Sequence, residues 1–127
     1  MLTGSCLCGA VAFTIDRLTR DVLACHCTQC RKVSGHFWAA TRVDIQHFHI
    51  TVDKGLRWFE SSPNTKRGFC SNCGSTLFFR PDGRPSISVS AGCIDGATGL
   101  KTAQHWYVAN KGDYYKLNDG VEQLAGE

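Results

Sequence analysis

The stretches Cys6-Leu7-Cys8 and Cys70-Ser71-Asn72-Cys73-Gly74 decide the fold of this chain. In an extended segment, the side chains of residues 6 and 8 point to the same face. In the second stretch a tight turn brings the two sulfur atoms together, and Gly74 can take the positive φ of such a turn. Each pair supplies half of a tetrahedral zinc site. We therefore expect one structural zinc on Cys6, Cys8, Cys70 and Cys73.

A third group of cysteines lies in Cys25-His26-Cys27-Thr28-Gln29-Cys30. Three thiolates leave one coordination position of a zinc ion open. Cys30 is at the start of a predicted helical turn, where the field of the helix N-terminus favours its thiolate. Zinc with three thiolates is a weak Lewis acid but can capture a further thiol, which indicates sulfur chemistry. We expect a second zinc on Cys25, Cys27 and Cys30, or a closed site completed by Cys93, a histidine or water.

The eight cysteines could instead form four disulfides. Spacings of one and two residues are unfavourable for bridging partners. Residues 1–5 lead into the first cysteine pair without a charged leader or an apolar run, so we expect no secretion signal. No apolar run approaches the roughly 20 residues of a membrane-spanning helix. These features favour metal binding in a cytoplasmic protein that has no membrane segment.

The length of 127 residues predicts a single zinc-binding domain, 1–127, to whose stability a metal can contribute substantially. The net charge of +3 arises from 14 basic and 11 acidic residues. The basic residues are dispersed, and Arg31-Lys32 and Lys66-Arg67 are the adjacent pairs. Nucleic acid is therefore not an expected partner. A mildly positive field favours a small acidic substrate instead.

Strand-like segments dominate the chain and predict a mainly β protein. A short helix is expected from Thr28 to about Ser34, ended by Gly35, and a second helical turn after Asp95-Gly96. The predicted strands are short, rich in β-branched or aromatic residues, and separated by Gly, Pro, Asp or Asn. They cover residues 10–15, 37–43, 48–52, 56–60, 75–80 and 86–90.

Several other residues need an interpretation. Cys93, at the end of an apolar strand, is expected to be a buried structural thiol. His26 is expected to pack or to support the neighbouring cysteines rather than to bind metal. His105 either lines a cleft or packs beneath it. Three large aromatic residues are expected in the core, namely Trp38, Trp58 and Phe78.

Three motifs occur together in this chain: GSCLCGAV at residues 4–11, CHCTQCRK at 25–32 followed by Ser34-Gly35, and RGFCSNCGS at 67–75. In combination they resemble the glutathione-dependent formaldehyde-activating enzyme family, which also includes the centromere protein V-like domain. The resemblance extends from about residue 4 to residue 124. It implies a zinc-anchored stack of antiparallel sheets, with a structural zinc on Cys6, Cys8, Cys70 and Cys73 and a catalytic zinc on Cys25, Cys27 and Cys30.

The resemblance also implies an activity, the condensation of formaldehyde with glutathione to S-hydroxymethylglutathione, which is a carbon-sulfur lyase reaction. Two classes of function follow from the sequence. One is an enzyme that acts on a small, glutathione-like thiol and formaldehyde or a similar electrophile. The other is a non-catalytic zinc-binding scaffold or interaction module. The open three-thiolate site favours the enzyme.

Overall fold

The computed structural model describes residues 1–127. A smaller sheet contains three antiparallel strands, β1 (Leu2–Ser5), β2 (Ala12–Ile15) and β5 (Phe48–Val52). A larger sheet contains eight: β3 (Arg20–Cys25), β4 (Trp38–Asp44), β6 (Leu56–Ser62), β7 (Thr65–Cys70), β8 (Thr76–Pro81), β9 (Ser86–Ser90), β10 (Thr102–Trp106) and β11 (Glu122–Gln123). The strand order is β1-β2-β5 in the smaller sheet and β11-β10-β3-β4-β9-β8-β7-β6 in the larger one. The predicted mainly β fold is confirmed.

All six predicted strands are present, and two of them, β5 and β9, have the predicted bounds. Five strands were not predicted: β1, β3, β7, β10 and β11. Pairing with neighbouring strands creates them, since their own sequences are short or polar. The antiparallel arrangement holds for most of the structure, but β10 runs parallel to both β3 and β11. A central strand such as β7 has partners on both sides, so even its Lys66-Arg67-Gly68 segment is extended.

The one α-helix, α1 (Thr28–Ser34), has the predicted bounds. Cys27 is its N-cap, and Gly35 ends it with a φ of 81°. Short 3-10 turns cover Ile45–His47, Ala91–Cys93 and Val108–Asn110. None of these helices combines the length and the apolar character needed to cross a membrane.

The helical turn predicted after Asp95-Gly96 is wrong. The 3-10 turn at Ala91–Cys93 lies just before this position. Beyond it, Ile94 forms a β-bridge with Gly4, and the Asp95 amide donates to the Thr3 carbonyl oxygen at 2.9 Å. After these contacts, Gly96 and Gly99 have positive φ values of 70° and 74°, which a right-handed helical turn does not contain.

The main core lies where the two sheets pack together. The ring centroid of Phe78 on β8 is 5.5 Å from that of Phe13 on β2 and 5.3 Å from that of Phe48 on β5. Phe78 is fully buried and Trp38 is nearly so, as predicted. The prediction for Trp58 is wrong, because its side chain is 40% exposed on β6. An edge strand has only one neighbour, so Trp58 stacks on Phe78 with its outer face uncovered.

The close approach of β1 to the core gives the first testable prediction. A Cβ atom at Gly4 would collide with the Phe13 ring and lie 2.6 Å from the Cys93 backbone oxygen. We expect Gly4→Ala to reduce the free energy of unfolding by about 1–3 kcal/mol because of overpacking. Gly92→Ala is the matched control, since a Cβ there has no neighbour within 4 Å. Urea unfolding of the metal-loaded protein measures both, and equal stability of the two variants would contradict the expectation.

Candidate metal centres and the adjoining cleft

Four sulfur atoms converge where the two sheets meet. The Sγ atoms of Cys6, Cys8, Cys70 and Cys73 all lie within 4.8 Å of one another. The Cys6–Cys8 sulfur distance is 3.7 Å and the Cys8–Cys70 distance is 3.8 Å. Tetrahedral zinc with Zn–S bonds of about 2.3 Å requires sulfur separations of about 3.8 Å. The four-sulfur group therefore has the dimensions of a closed tetrahedral metal site.

Local hydrogen bonds favour the thiolate forms of two members of this group, Cys8 and Cys73. The Asn72 side-chain amide donates to the Cys8 sulfur at 3.1 Å and holds the pKa of this thiol below its ordinary value. The Ser75 hydroxyl lies 3.2 Å from the Cys73 sulfur and, with backbone amides, lowers the pKa of Cys73 to about 5. Deprotonated sulfur is the form that binds metal, so these neighbours prepare the group for an ion.

The second group contains Cys25, Cys27 and Cys30, whose sulfur atoms also lie within 4.8 Å of one another. Cys25 ends β3, Cys27 caps α1, and Cys30 lies in the first turn of the helix. Hydrogen bonds from the Cys25 and Cys30 thiols lower the pKa of Cys27, and the Cys30 amide donates to the same sulfur at 3.3 Å. No other cysteine, histidine or carboxylate belongs to this three-sulfur group.

The three-sulfur group lies in a cleft of about 970 Å³ on the face of the larger sheet. All three cysteines line this cleft, so a molecule within it can reach their sulfur atoms. The wall contains aromatic side chains, including Trp38 and Phe79, together with several cationic side chains. Its volume is within the range of small-molecule sites, and the four-sulfur group is not part of its lining.

Arg67 connects the cleft to the three-sulfur group. Its side chain is only 6% exposed, and its Nη2 donates to the Cys30 sulfur at 3.6 Å. Its Nε donates to Gln29 Oε1 at 2.9 Å, and its guanidinium group lies over the Phe79 ring at 4.7 Å. A buried cation beside three thiolates offsets their negative charge. In the sequence, Arg67 stands out only as part of the third motif and of the Lys66-Arg67 pair, because its distance from Cys30 along the chain conceals this contact.

A network of polar side chains with two buried histidines at its centre supports the Cys25–Cys27 segment. His26 Nε2 is 2.9 Å from His105 Nδ1, and His105 Nε2 is 2.7 Å from an Asp119 carboxylate oxygen. His26 Nδ1 also forms a hydrogen bond with the Tyr115 hydroxyl. Burial, reinforced by the neighbouring His105, lowers the pKa of His26 to about 4, so its ring is neutral at pH 7. His26 thus points away from the sulfur atoms, and His105 packs behind the site rather than lining the cleft.

Cys93 belongs to neither sulfur group. Its side chain is half-buried against the main core, and its Sγ is 3.8 Å from the Thr76 carbonyl oxygen. Burial raises the pKa of this thiol. Cys93 is therefore a packing residue, as predicted, although it is less deeply buried than expected.

An antiparallel sheet and a mixed sheet, with converging groups of four and three cysteines that have the geometry to hold metal ions, define the class of this protein. The chain belongs to the family described as glutathione-dependent formaldehyde-activating enzyme, whose profile matches residues 1–110. It is similar to an uncharacterized lyase of Schizosaccharomyces pombe, with 27% identity over 114 residues, which cover 88% of this chain and 82% of the yeast protein.

A solved structure shares the fold. The crystal structure of a Rhodobacter sphaeroides protein superposes with a TM-score of 0.65 and 22% sequence identity. The match covers 76% of this chain and 90% of the bacterial one. The family match ends at residue 110, earlier than the expected limit near residue 124. Tyr115 and Asp119, which complete the histidine network, lie beyond this limit.

The different positions of the two sulfur groups give the second prediction. The four-sulfur group joins segments 62 residues apart, whereas the three-sulfur group closes a local loop. We expect Cys73→Ser to reduce the free energy of unfolding by about 4 kcal/mol or more, as for loss of a metal site. Cys27→Ser is expected to cost much less, because a serine hydroxyl can keep the helix cap. Thermal melting measures the loss of stability in both variants. Equal destabilisation by Cys73→Ser and Cys27→Ser would contradict the different roles of the two sulfur groups.

Proposed function

We propose that this protein is a zinc-dependent enzyme of the carbon-sulfur lyase type. Its substrates would be a small, glutathione-like thiol and formaldehyde or a similarly small electrophile. One observation carries the proposal: three converging sulfur atoms open onto a cleft large enough for such molecules. Membership of the formaldehyde-activating family and similarity to a yeast protein named as a lyase support it.

The donor atoms fit two zinc ions per chain. Seven thiolates are soft ligands, which favour zinc over magnesium or calcium. We assign the structural ion to Cys6, Cys8, Cys70 and Cys73, and the functional one to Cys25, Cys27 and Cys30. When bound to three thiolates, zinc supplies a position at which a substrate thiol is held as thiolate at neutral pH.

The side chains around the three-sulfur group have separate tasks in this proposal. The cysteines fix where the substrate sulfur is held, at one side of the cleft. Arg67 offsets the negative charge of the thiolates, and Gln29 holds its guanidinium group in place. Trp38 and Phe79 form an apolar wall that limits access of water. In the reaction, the thiol sulfur forms a bond to the carbonyl carbon, and the thiol proton ends on the carbonyl oxygen, which gives a hemithioacetal.

Two further assignments accompany this function. We propose that residues 1–127 form one domain, since β11, near the end of the chain, pairs with β10 in the larger sheet. We also propose the cytoplasm as its location, because its seven ligand thiols must stay reduced to bind metal. All eight cysteines are free of disulfides in the structure, which is compatible with such a compartment.

Metal analysis tests the two-zinc assignment. Purified protein is expected to contain close to two zinc ions per chain by elemental analysis, and a chelator is expected to remove one of them first. Cys30→Ser should lose the more labile ion, since it removes one of only three ligands. Cys93→Ser is the matched control and should keep both ions, because Cys93 is in neither group. Folded, metal-free wild-type protein would contradict the assignment.

Exchange measurements test the reaction. NMR exchange spectroscopy at equilibrium can follow a thiol, formaldehyde and their adduct, since the uncatalysed addition is already fast. We expect the wild type and Cys93→Ser to accelerate exchange with glutathione or with simpler thiols at matched thiolate concentration. Cys25→Ser, Cys27→Ser and Cys30→Ser should abolish most of this acceleration while keeping the four-sulfur ion.

The same experiment separates the enzyme from a non-catalytic scaffold. Added thiol should change the X-ray absorption spectrum of bound zinc in the wild type if a thiol becomes a ligand. Unchanged exchange with every thiol, together with an unchanged zinc spectrum, would reject the enzyme and favour the scaffold or interaction module.

A further inference from the structure

A row of side chains crosses the larger sheet within the cleft. Arg67 on β7 is paired with Phe79 on β8, and Phe79 is paired with Ser88 on β9. Ser88 is in turn paired with Arg42 on β4, and Arg42 with Arg20 on β3. Directly paired residues project from the same face of a sheet, and all five line the cleft. Three arginines that are distant in sequence therefore share one surface.

A fourth arginine joins this row from the β8–β9 connection. Arg84 Nη2 donates to the Ser88 hydroxyl at 3.0 Å, and its guanidinium group lies 5.8 Å from the centroid of the Phe79 ring. We name this set the arginine floor; it consists of Arg20, Arg42, Arg67 and Arg84.

No carboxylate of the protein forms an ion pair with the arginine floor. The ion pairs of the structure are His49–Asp16, Lys66–Asp82 and His105–Asp119, and none includes these arginines. One acidic residue, Glu127, lines the cleft, and its carboxylate accepts a hydrogen bond from the Tyr107 hydroxyl. Arg67 contacts the Cys30 sulfur, but Arg20, Arg42 and Arg84 lack a counter-charge on this concave surface.

Several guanidinium nitrogens also lack hydrogen-bond partners. Arg20 Nε, Arg42 Nε and Arg67 Nη1 are buried and unpaired, and the whole Arg67 side chain is only 6% exposed. Burial, followed by repulsion from Arg42, lowers the pKa of both Arg20 and Arg84 to about 10. Unpaired buried donors and crowded like charges are both unfavourable, and a bound anion would relieve both.

We propose that the arginine floor binds an anionic oxygen group, such as a carboxylate, of the substrate whose thiol reaches the three-sulfur group. The substrate would then be an anionic thiol. The thiol part of this inference rests on the proposed function. Guanidinium groups bind carboxylates through paired hydrogen bonds, which gives such a subsite orientation as well as affinity.

The separation of the two ends of the cleft limits the size of the substrate. Arg42 and Trp38 are four residues apart on β4, which is about 13 Å along the strand. Trp38 is paired with Cys25 of the three-sulfur group. Arginine side chains cover part of this distance, so the remaining span suits a molecule two or three residues long, about 7–11 Å. A neutral or much shorter thiol would leave the arginine floor unpaired.

The first experiment uses a ligand without a thiol, so its result is independent of catalysis. Isothermal titration calorimetry measures binding of adipate, a dicarboxylate, and of neutral adipamide to the zinc-loaded protein. We expect binding of adipate but not of adipamide, and about tenfold weaker adipate binding by Arg42→Gln and by Arg20→Gln. Arg57→Gln is the matched control, since Arg57 is exposed on β6 outside the cleft and its loss changes the net charge equally.

Thermal melting establishes that the variants are folded, and the use of two separate arginines keeps the test decisive if one variant is unstable. The proposal is overturned if adipate does not bind the wild type, or if Arg57→Gln weakens adipate binding as much as the cleft variants do.

A second experiment connects the arginine floor to the reaction. It compares mercaptohexanoate with mercaptohexanol, two thiols of similar length that differ in the carboxylate, in the formaldehyde exchange assay. The wild type should prefer the carboxylate by about tenfold, and Arg42→Gln should lose this preference. Equal use of both thiols by the wild type would overturn the proposal. If neither thiol reacts but adipate binding still depends on Arg42 and Arg20, the proposed function fails while the anion site stands.

Discussion

The convergence of four cysteine sulfurs is the constraint on which the rest of this structure depends. Cys6 and Cys8 follow the first strand of the smaller sheet, whereas Cys70 and Cys73 flank a turn of the larger one. Cys6 and Cys70 are also part of the main core, beside the aromatic contact between the sheets. A metal ion at this point would fix the two sheets together, and would do so more firmly than the core of a chain this short can do alone.

The cleft is a consequence of this arrangement. Phe78 on β8 packs into the core. Because side chains alternate along a strand, its neighbour Phe79 projects from the opposite face into the cleft. The same alternation places the arginine floor opposite the core. The three-sulfur group lies at one side of this surface, where β3 ends and α1 begins. The two groups of cysteines are thus kept apart: one lies at the junction of the sheets, and the other opens onto the cleft.

Charge is distributed unevenly around the three-sulfur group. On the cleft side, Arg67 donates to the Cys30 sulfur and the other arginines lie further along the sheet. On the opposite side, the neutral His26 is held by His105 and Tyr115. Positive charge next to the thiolates is therefore concentrated where a ligand can approach, while the opposite side carries a hydrogen-bonded network that runs from the neutral His26 to the Asp119 carboxylate. This arrangement favours anionic molecules in the cleft and a rigid support behind it.

The sequence by itself determined the mainly β character, α1 with its Gly35 end, and both groups of cysteines, because these depend on local spacing, local propensity and the geometry of thiolate ligands. The helical turn expected after Asp95-Gly96 and the core position of Trp58 were wrong, since Gly96 and Gly99 have left-handed backbone and β6 is an edge strand. Only the tertiary structure decided that Arg20, Arg42 and Arg67 form one surface. Cross-strand pairing brings together residues far apart along the chain, and no local pattern in a single sequence records this.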